Sequence, residues 1–563
     1  MLDRLLPELL DKVLLELDLS DLIKFSNLAK FSHQHLFGNP IRQHLWHSIY
    51  LKYFDPPQDF NFHHQTDLIR SNHKDSIDSI KLQEKISSEE NSLTFLDWKS
   101  IVQERFILYY SLTNLDDDWV QKRLIKYFPK SDLLNLYSII FEIFNTSIIR
   151  SNPSNHSNLD QSLNISFIQN LFLYSPAQFR ILHYSGLNHH HQPLFAMRPS
   201  LNNPLVISAA KLHTIYGLTS FDLNRPRTRG LARESCYALA NYHPNNFYGP
   251  FMPDQSGKVN WAHLESLSIL VRLYIYHLRQ KALERISNRS TSLNQLDSNT
   301  FSNPQINHSS NNINHHSNHI FNHSFDSSIL DHSINSQPLP FDESDKPAEI
   351  DWPILNGLWT ANPNTQLMHP DYDHPPYPWP PSNGIPIDLN HYDWAGVTGK
   401  WLRIVCFLDY RDLHAYNFTN DGPRPTLDEH KEALRAMTLD LEVTSIGQRP
   451  NGRYPLPACL QEDIPNRPPI YFKGTLTYNL DPASLPIEGQ TMASLGGCVS
   501  CTADGEVRWT VVSTLSGMNR WASEGIQVGG PRSKWGVLGA WTDINRNDKE
   551  GPAGPFYFFK IEY

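Results

Sequence analysis

Apolar residues near the start of the chain recur at steps of three and four positions, the spacing that places side chains on one face of a helix. One stripe runs from Leu6 to Leu17, and a second begins at Leu22. Between them, Asp18 breaks the period and offers a side-chain oxygen that can cap the next helix. Asn39-Pro40 opens a third stripe, because proline is favoured in the first turn of a helix. Helices this short bury only a marginal core together, so their leucines need a partner elsewhere in the chain or in another protein.

The pattern changes several times after these helices. A nearly all-apolar run at 133–144 predicts a buried helix, and 261–283 predicts a long amphipathic one. An Asn-, Ser- and His-rich segment then has too few large apolar side chains to offset its ordering entropy. The predicted organisation is N-terminal helices at 1–53, a polar linker at 54–92, a mainly helical region at 93–286, a disordered insertion at 287–345, a Pro- and aromatic-rich strap at 346–393 and a β-rich domain at 394–563.

Apolar and polar residues alternate along much of the last part of the chain, as in strands. Residues 437–444 alternate throughout, and the even-numbered residues of 401–408 form one apolar face. A turn at Ala503-Asp504-Gly505 between two such runs predicts a hairpin. About eight closely spaced strands favour an antiparallel barrel or sandwich. The predicted fold class is therefore α+β and multidomain, with three N-terminal helices, a helical middle region and a C-terminal antiparallel β-barrel or sandwich.

Composition limits the classes of partner. The chain has 563 residues and a formal net charge of −10, so a general nucleic-acid-binding role, which usually requires a basic surface, is not expected. Its five cysteines are odd in number and widely spread, which favours a reducing compartment, cytoplasmic and/or nuclear. The sequence shows no secretory signal and no apolar run of the roughly 18 residues that a membrane span needs, so no membrane partner is expected.

Several residues have spacings that support chemistry in other proteins. Cys498 and Cys501 have redox or zinc spacing, but residues three apart on a strand point to opposite faces. Asp409 and Asp412 are two acids beside which no recognisable motif fixes a nucleophile, so ion pairing at a strand end is the preferred interpretation. The histidine-rich tracts lack carboxylate or thiol companions. We therefore predict no catalytic residue, no metal site and no cofactor.

The N-terminal residues resemble the F-box, the motif that binds the Skp adaptor of Skp–cullin–F-box ubiquitin ligases. The resemblance rests on the runs 8–14 and 17–22 and on the pair Leu45-Trp46. The proline of the usual Leu-Pro-x-Glu opening is displaced by one position, since Pro7 directly precedes Glu8. The residues that this resemblance implies for adaptor binding are Leu6, Pro7, Leu9, Leu10, Val13, Leu14, Leu17, Leu22, Phe25, Leu45 and Trp46.

A second resemblance covers most of the chain. The runs 394–413, 521–530 and 554–560 are similar to the C-terminal signature of a group of fungal F-box proteins, and parts of 248–261 fit the same group. The resemblance implies a non-catalytic adaptor that brings an unknown target protein to ubiquitination. Its implied partners are the Skp adaptor and, through it, cullin.

Arginine and tryptophan near predicted turns of the β-rich domain are the candidates for target binding, because both residue types are enriched among binding hot spots. The candidates are Arg520, Trp521, Arg532 and Trp535. The alternative is that the two tryptophans plug the ends of a barrel. Two other functions remain open: a cytosolic barrel that binds an apolar small molecule, with the N-terminal helices as a packing layer, and an enzyme that uses the acids at 409–412.

Overall fold

The computed structural model describes residues 7–18, 21–22, 43–56, 97–113, 133–147, 162–173, 181–183, 202–299, 352–361, 389–418, 426–428, 432–447, 467–478, 491–545 and 551–561. The chain divides into two compact units. The first comprises Met1–Ser220 with Gly357–His374, and the second comprises Phe221–Asn356 with Pro375–Tyr563. Among the described residues, no helix is both long enough and apolar enough to cross a membrane.

The described helices and strands follow one another as an α-rich part and then a β-rich part. The helices are α1 (Pro7–Glu16), α2 (Gln43–Tyr53), α3 (Trp98–Thr113), α4 (Leu133–Asn145), α5 (Leu163–Leu171), α6 (Pro204–Tyr216), α7 (Ser220–Asn224), α8 (Pro226–Tyr237), α9 (Trp261–Asn299), α10 (Pro353–Asn356), α11 (Leu358–Ala361) and α12 (Tyr410–Phe418). The strands are β1 (Gly399–Leu408), β2 (Glu432–Ile446), β3 (Ile470–Tyr478), β4 (Thr491–Cys501), β5 (Val507–Leu515), β6 (Met518–Gln527), β7 (Val537–Asp543) and β8 (Ala553–Lys560).

In the first unit, α1 packs one face against α2. Leu10 and Leu14, one helical turn apart, are buried. The Lys52 ammonium and the Tyr53 hydroxyl both donate to the carbonyl oxygen of Leu17, just beyond the end of α1. The carbonyl groups at the C-terminal end of a helix have no hydrogen-bond donor within the helix, and these two side chains supply donors there. Burial raises the pKa of Tyr53 to about 12, so its hydroxyl remains a donor at neutral pH.

A buried aspartate joins the end of α2 to α5. Asp55 accepts from the Ser162 hydroxyl and, at 3.0 Å, from the backbone N–H of Leu163. Its own N–H donates to the Asn164 amide oxygen at 3.1 Å. A carboxylate is favourable there because the N-terminus of a helix is the positive end of its dipole. The segment predicted as a linker at 54–92 therefore begins inside the packed unit, while its residues 57–92 lie outside the described part of the chain.

The second unit contains a closed barrel of eight antiparallel strands in chain order, with β8 pairing back to β1. Alternate residues point into the barrel: Trp401 lies opposite Leu439, and Arg403 lies opposite Met437. The predicted α+β class is confirmed, and of the two predicted β architectures the barrel is the one found. For the predicted three N-terminal helices, the described residues give α1 and α2, and residues 23–42 lie outside them.

Helices α8 and α9 cover part of the outside of the barrel, α8 on β8 and α9 on β7 and β8. Outward-facing residues such as Leu538, Tyr557 and Phe559 are buried as a result. The Arg272 guanidinium of α9 lies 5.2 Å from the ring of Trp535, and its Nε donates to the Ile354 carbonyl oxygen at 2.8 Å. The compact unit that contains the barrel thus begins at Phe221, whereas the sequence predicted a separate helical region up to residue 286.

Three elements differ from the predictions. The residues after Leu408, expected at a strand end, begin helix α12, because the Asp409 carboxylate accepts from the Arg411 N–H at 2.9 Å and caps its first turn. Helix α9 continues to Asn299, into the segment predicted to be disordered. Extending an existing helix adds a hydrogen bond for each residue without a new nucleation cost. Within the strap, expected as extended coil, residues 353–361 form the short helices α10 and α11.

Candidate functional site

A pocket of about 430 Å³ opens at one end of the barrel. Its walls come from the C-terminal ends of the odd-numbered strands and the N-terminal ends of the even-numbered ones, joined by the start of α12. Most lining side chains are apolar or aromatic. The apolar lining residues are Val405, Phe407, Leu408, Leu413, Met437, Leu476, Ala493, Leu515, Trp521, Trp541 and Pro552, and the lining is completed by Arg403, Asp409, Tyr410, Arg435 and Ser513.

The other half of the barrel is filled by aromatic side chains. The Trp509 ring lies 5.3 Å from Trp401, 5.4 Å from Phe558 and 5.5 Å from Phe472, measured between ring centroids. We call these four residues the aromatic cluster. Inward-facing Gly497 makes room for it, since a Cβ there would lie 2.2 Å from the Phe472 ring. The pocket therefore has an apolar floor and opens towards one end.

Arg403 is the charged residue at the boundary between the aromatic cluster and the pocket. It is 3% exposed and lines the pocket wall. Its guanidinium donates to the Ser523 hydroxyl at 2.7 Å and lies 5.2 Å from the Phe556 ring centroid. Phe556 in turn stacks on Phe558 of the cluster at 5.6 Å. A positive charge is thus held deep in an otherwise mainly apolar pocket.

The mouth of the pocket combines exposed apolar and charged side chains. Tyr410 and Leu515 line it with 55% and 42% of their surface exposed, and Met518, opposite Leu515 in the strand register, is 71% exposed. The backbone N–H of Arg411 and the Arg411 side chain lower the pKa of Asp409. Asp409 is therefore a capping carboxylate of α12 and is ionised at neutral pH, which is unlike a general acid poised near pH 7.

The four candidate target-binding residues lie at opposite ends of β6. Trp521 lines the pocket, where its ring meets Trp541 edge-on at 5.2 Å, and the half-exposed Arg520 lies over the Trp521 ring at 4.9 Å. Arg532 and Trp535 follow the other end of the strand. The structure therefore brings Arg520 and Trp521 to the pocket mouth and leaves the other pair away from it.

Arg532 and Trp535 are engaged in packing. The Arg532 guanidinium donates to the Asp393 carbonyl oxygen. Trp535 has no exposed surface and lies against Tyr557, whose hydroxyl donates to the Trp535 carbonyl oxygen at 2.6 Å. Trp535 is therefore buried against an outward-facing residue of the barrel wall.

The residues implied for adaptor binding are divided between the two faces of α1 and the interior. Leu9 and Val13 are 47% and 44% exposed, and we call them the α1 stripe. Leu17 is half-buried. The buried ones are Leu10, Leu14, Leu22, Leu45 and Trp46. Leu6 and Phe25 lie outside the described residues, and Pro7 is the first residue of α1.

Among the described residues, the remaining chemical candidates from the sequence are not brought together. Cys498 and Cys501 lie on opposite faces of β4, as alternation requires, and both are buried thiols that form no disulfide within the described part of the chain. Burial raises the pKa of Cys501, which makes its thiol a poor nucleophile. His189, His190 and His191 lie outside the described residues.

Arg403 and Phe407 were not among the predicted site residues. The sequence predicted that the even-numbered residues of 401–408 form an apolar face, and they do, but that face is turned outward. The available signal was a single arginine among the large apolar residues of the other face, Trp401, Val405 and Phe407.

Comparisons of this chain with protein-family models, with curated proteins and with solved structures found no match. Two features of the described residues bear on function: the α1 stripe and the pocket of the barrel.

Proposed function

We propose that this chain is a non-catalytic adaptor subunit of a Skp–cullin–F-box ubiquitin ligase, which docks on the Skp adaptor through its N-terminal helices and presents a target protein for ubiquitination. The observation that carries the proposal is the α1 stripe, Leu9 and Val13, exposed on the face of α1 that lies about 100° around the helix from the buried Leu10 and Leu14. The N-terminal sequence that contains it resembles the F-box.

The α1 stripe has the geometry of a partner contact. Leu9 and Val13 are four residues apart, so their side chains lie one above the other on the helix. An amphipathic helix buries one apolar face in its own domain, and the α1 stripe is a second apolar surface that is available to a partner. Apolar anchors at the centre of an interface commonly cost about 2 kcal/mol or more of binding energy when they are removed.

The test replaces both stripe residues with aspartate. Leu9→Asp with Val13→Asp should weaken binding to the purified Skp adaptor at least tenfold in calorimetry, because two charges then face an apolar surface. The melting temperature should change little, since both side chains are about half exposed. Leu173→Asp is the matched control: Leu173 is 71% exposed in the same unit, outside the F-box resemblance, and its replacement should leave affinity unchanged. Equal affinity of the double variant and the unaltered chain for the Skp adaptor would contradict the proposal.

For target binding, we place the contact at the pocket mouth, with Trp521 and Arg520 as its anchors. Trp521 offers a large aromatic surface beside Leu515 and Tyr410, and Arg520 is half exposed next to it. Aromatic and arginine side chains that surround a recess are typical of interface hot spots. The target itself is not identified by these residues.

A second candidate function is the binding of a small apolar molecule inside the barrel. It is favoured by the pocket, whose volume of about 430 Å³ falls within the roughly 300–1,000 Å³ usual for ligand sites and whose walls are mainly apolar. This function is compatible with an adaptor role, since the ligand would occupy the interior and a target the rim.

Filling the pocket tests this second function. Ala493 faces inward and lines the pocket, so Ala493→Trp should occupy much of the cavity and abolish the fluorescence enhancement of an apolar environment-sensitive dye. Ser494 is the next residue on β4, points outward and is exposed, so Ser494→Trp should leave dye binding unchanged. Circular dichroism would verify that both variants are folded. Undiminished dye binding by Ala493→Trp would exclude the pocket as the binding site.

A further inference from the structure

We infer that the pocket takes an unbranched apolar chain ending in a carboxylate, which enters head first and places its carboxylate on Arg403. The inference deepens the small-molecule function proposed above and rests on it. It names both the class of ligand, a medium-chain fatty acid, and the orientation in which that ligand is held.

The geometry at the inner end of the pocket fits a carboxylate. Arg403 lines the pocket, is 3% exposed, and has its guanidinium positioned by the Ser523 hydroxyl at 2.7 Å and by the Phe556 ring at 5.2 Å. A guanidinium presents a planar fork of donors that matches the two oxygens of a carboxylate. Because its surroundings hold it in place, little side-chain entropy would be lost on binding.

Burial of the charge sets the orientation. A charge pair away from water interacts more strongly than one at an exposed surface, where solvent screens it. A carboxylate on Arg403 would gain from the low local polarity, with the apolar tail along Val405, Met437 and Leu476 towards the mouth. The reverse orientation would leave the carboxylate at the mouth near Arg435, which is exposed and lies over the Phe407 ring at 5.1 Å.

The walls favour a hydrocarbon chain over the end of a polypeptide. A peptide that reached Arg403 with its C-terminal carboxylate would carry backbone N–H and C=O groups into the pocket. Burying such groups without hydrogen-bond partners is unfavourable. Between Arg403 and the mouth, the described polar lining is Ser513 and Arg435, which lies opposite Val405 with its guanidinium over the Phe407 ring. The other described wall residues there are apolar or aromatic. A chain of methylene groups has no such requirement.

The experiment compares dodecanoate with dodecanol by calorimetry on the full chain. The unaltered protein should bind dodecanoate at least tenfold more tightly than dodecanol. Arg403→Gln should remove that preference while retaining dodecanol binding, and Arg435→Gln should keep most of it. Lys473→Gln is the control for loss of one positive charge, because Lys473 lies on the outer face of β3, paired with Glu442, and should change nothing.

A second measurement does not depend on any variant. Carboxyl-labelled dodecanoate bound to the unaltered protein should remain ionised in NMR pH titrations to a lower pH than the free acid, because a guanidinium beside it favours the anion. If Arg403→Gln fails to fold, this titration and the comparison of the two ligands on the unaltered protein still test whether a carboxylate binds beside a positive charge.

Four results would overturn the inference, and they are distinguishable. Equal affinity for dodecanoate and dodecanol would leave an apolar ligand site but remove the role of Arg403. Loss of the preference in Arg435→Gln alone would reverse the orientation. Tighter binding of a peptide with an apolar C-terminal residue than of dodecanoate would make a polypeptide end the ligand. Binding of neither dodecanoate nor dodecanol would remove both this inference and the small-molecule function.

Discussion

At the scale of single residues, the second unit buries a carboxylate against the outside of the barrel. Glu432 begins β2 with no side-chain exposure, and its Oε1 lies 3.0 Å from the Nε of Arg233 on α8. Arg233 also donates to the carbonyl oxygens of Leu427 and Asp428. Burial raises the pKa of Glu432 to about 7 and outweighs the opposite effect of the guanidinium.

This shift predicts a pH-dependent stability. The pKa of Glu432 in the folded chain lies above its ordinary value of 4.5, so the folded state binds the proton more tightly than the unfolded state. The resulting stabilisation is complete below about pH 4.5 and is lost as pH rises through about 7. Compared with Glu432→Gln, the unaltered chain should therefore lose on the order of 2–3 kcal/mol of unfolding free energy between pH 5 and pH 8. Urea unfolding at a series of pH values measures the difference.

Glu442→Gln is the control for this prediction. It makes the same substitution on the same strand, but Glu442 is exposed and pairs with Lys473 at 3.2 Å. Its pH profile should follow that of the unaltered chain. A constant difference between the Glu432→Gln and unaltered profiles from pH 5 to pH 8 would contradict the assignment.

Individual residues also show what sequence could not reveal about the site. Alternation identifies residues that share a strand face, but it does not say which face is inside when both faces are apolar. Trp401 and Arg403 face the interior, while Leu402 and Ile404 are buried on the outside. Trp521 could be proposed as a site residue from its residue type and its predicted turn. Arg403 could be assigned to the site only from the strand register of the barrel, which shows that it faces the interior.

At the scale of elements, the strands and the long helix α9 were predictable, and the packing of helices on the barrel was not. The alternation predicted at residues 437–444 lies within β2, and the turn predicted at 503–505 lies between β4 and β5, because these patterns are local. The covering of β7 and β8 by α9 joins segments far apart in sequence, which no local pattern encodes. Helix α12 was missed for a related reason, since its short apolar spacing resembles a loop between strands.

The turn at 244–249 is an element held against the barrel by one close approach. Arg508 lies over the rings of Phe247 and Phe251, and the same guanidinium donates to Glu524 at 3.0 Å. Gly249 fits between these groups: a Cβ there would lie 2.5 Å from the Glu524 Cβ. The turn is thus anchored by two aromatic rings, and its glycine is required by contact with β6.

We predict that Gly249→Ala destabilises the second unit by about 1–3 kcal/mol, the usual cost of adding a methyl group where neighbours cannot move. Glu524 is held by Arg508 and Thr510, so it cannot give way easily. Lys258→Ala, exposed in the following turn, should have little effect. Urea unfolding followed by tryptophan fluorescence measures the stability of both variants. Equal unfolding midpoints for Gly249→Ala and the unaltered chain would contradict the prediction and show that the turn can move to accommodate the methyl group.

At the scale of the whole molecule, each compact unit carries one of the two proposed activities. The α1 stripe lies in the first unit, and the pocket lies in the second. Composition and pattern predicted the helical start and the β-rich end. They did not predict that 221–299 belongs with the barrel, because that boundary depends on which surfaces the helices cover.

The aromatic cluster has a kinetic consequence for any molecule held in the barrel. Since Trp401 and Trp509 occupy the other half of the interior, the described residues leave one opening by which a ligand arrives and leaves. A protein bound on Tyr410 and Leu515 would obstruct the entry and the exit of the ligand equally. If it touched the rim without touching the ligand, microscopic reversibility requires that association and dissociation slow by the same factor. The dissociation constant of the ligand would stay unchanged while its residence time in the barrel lengthened. The partner protein would thus slow ligand exchange without competing for the ligand site.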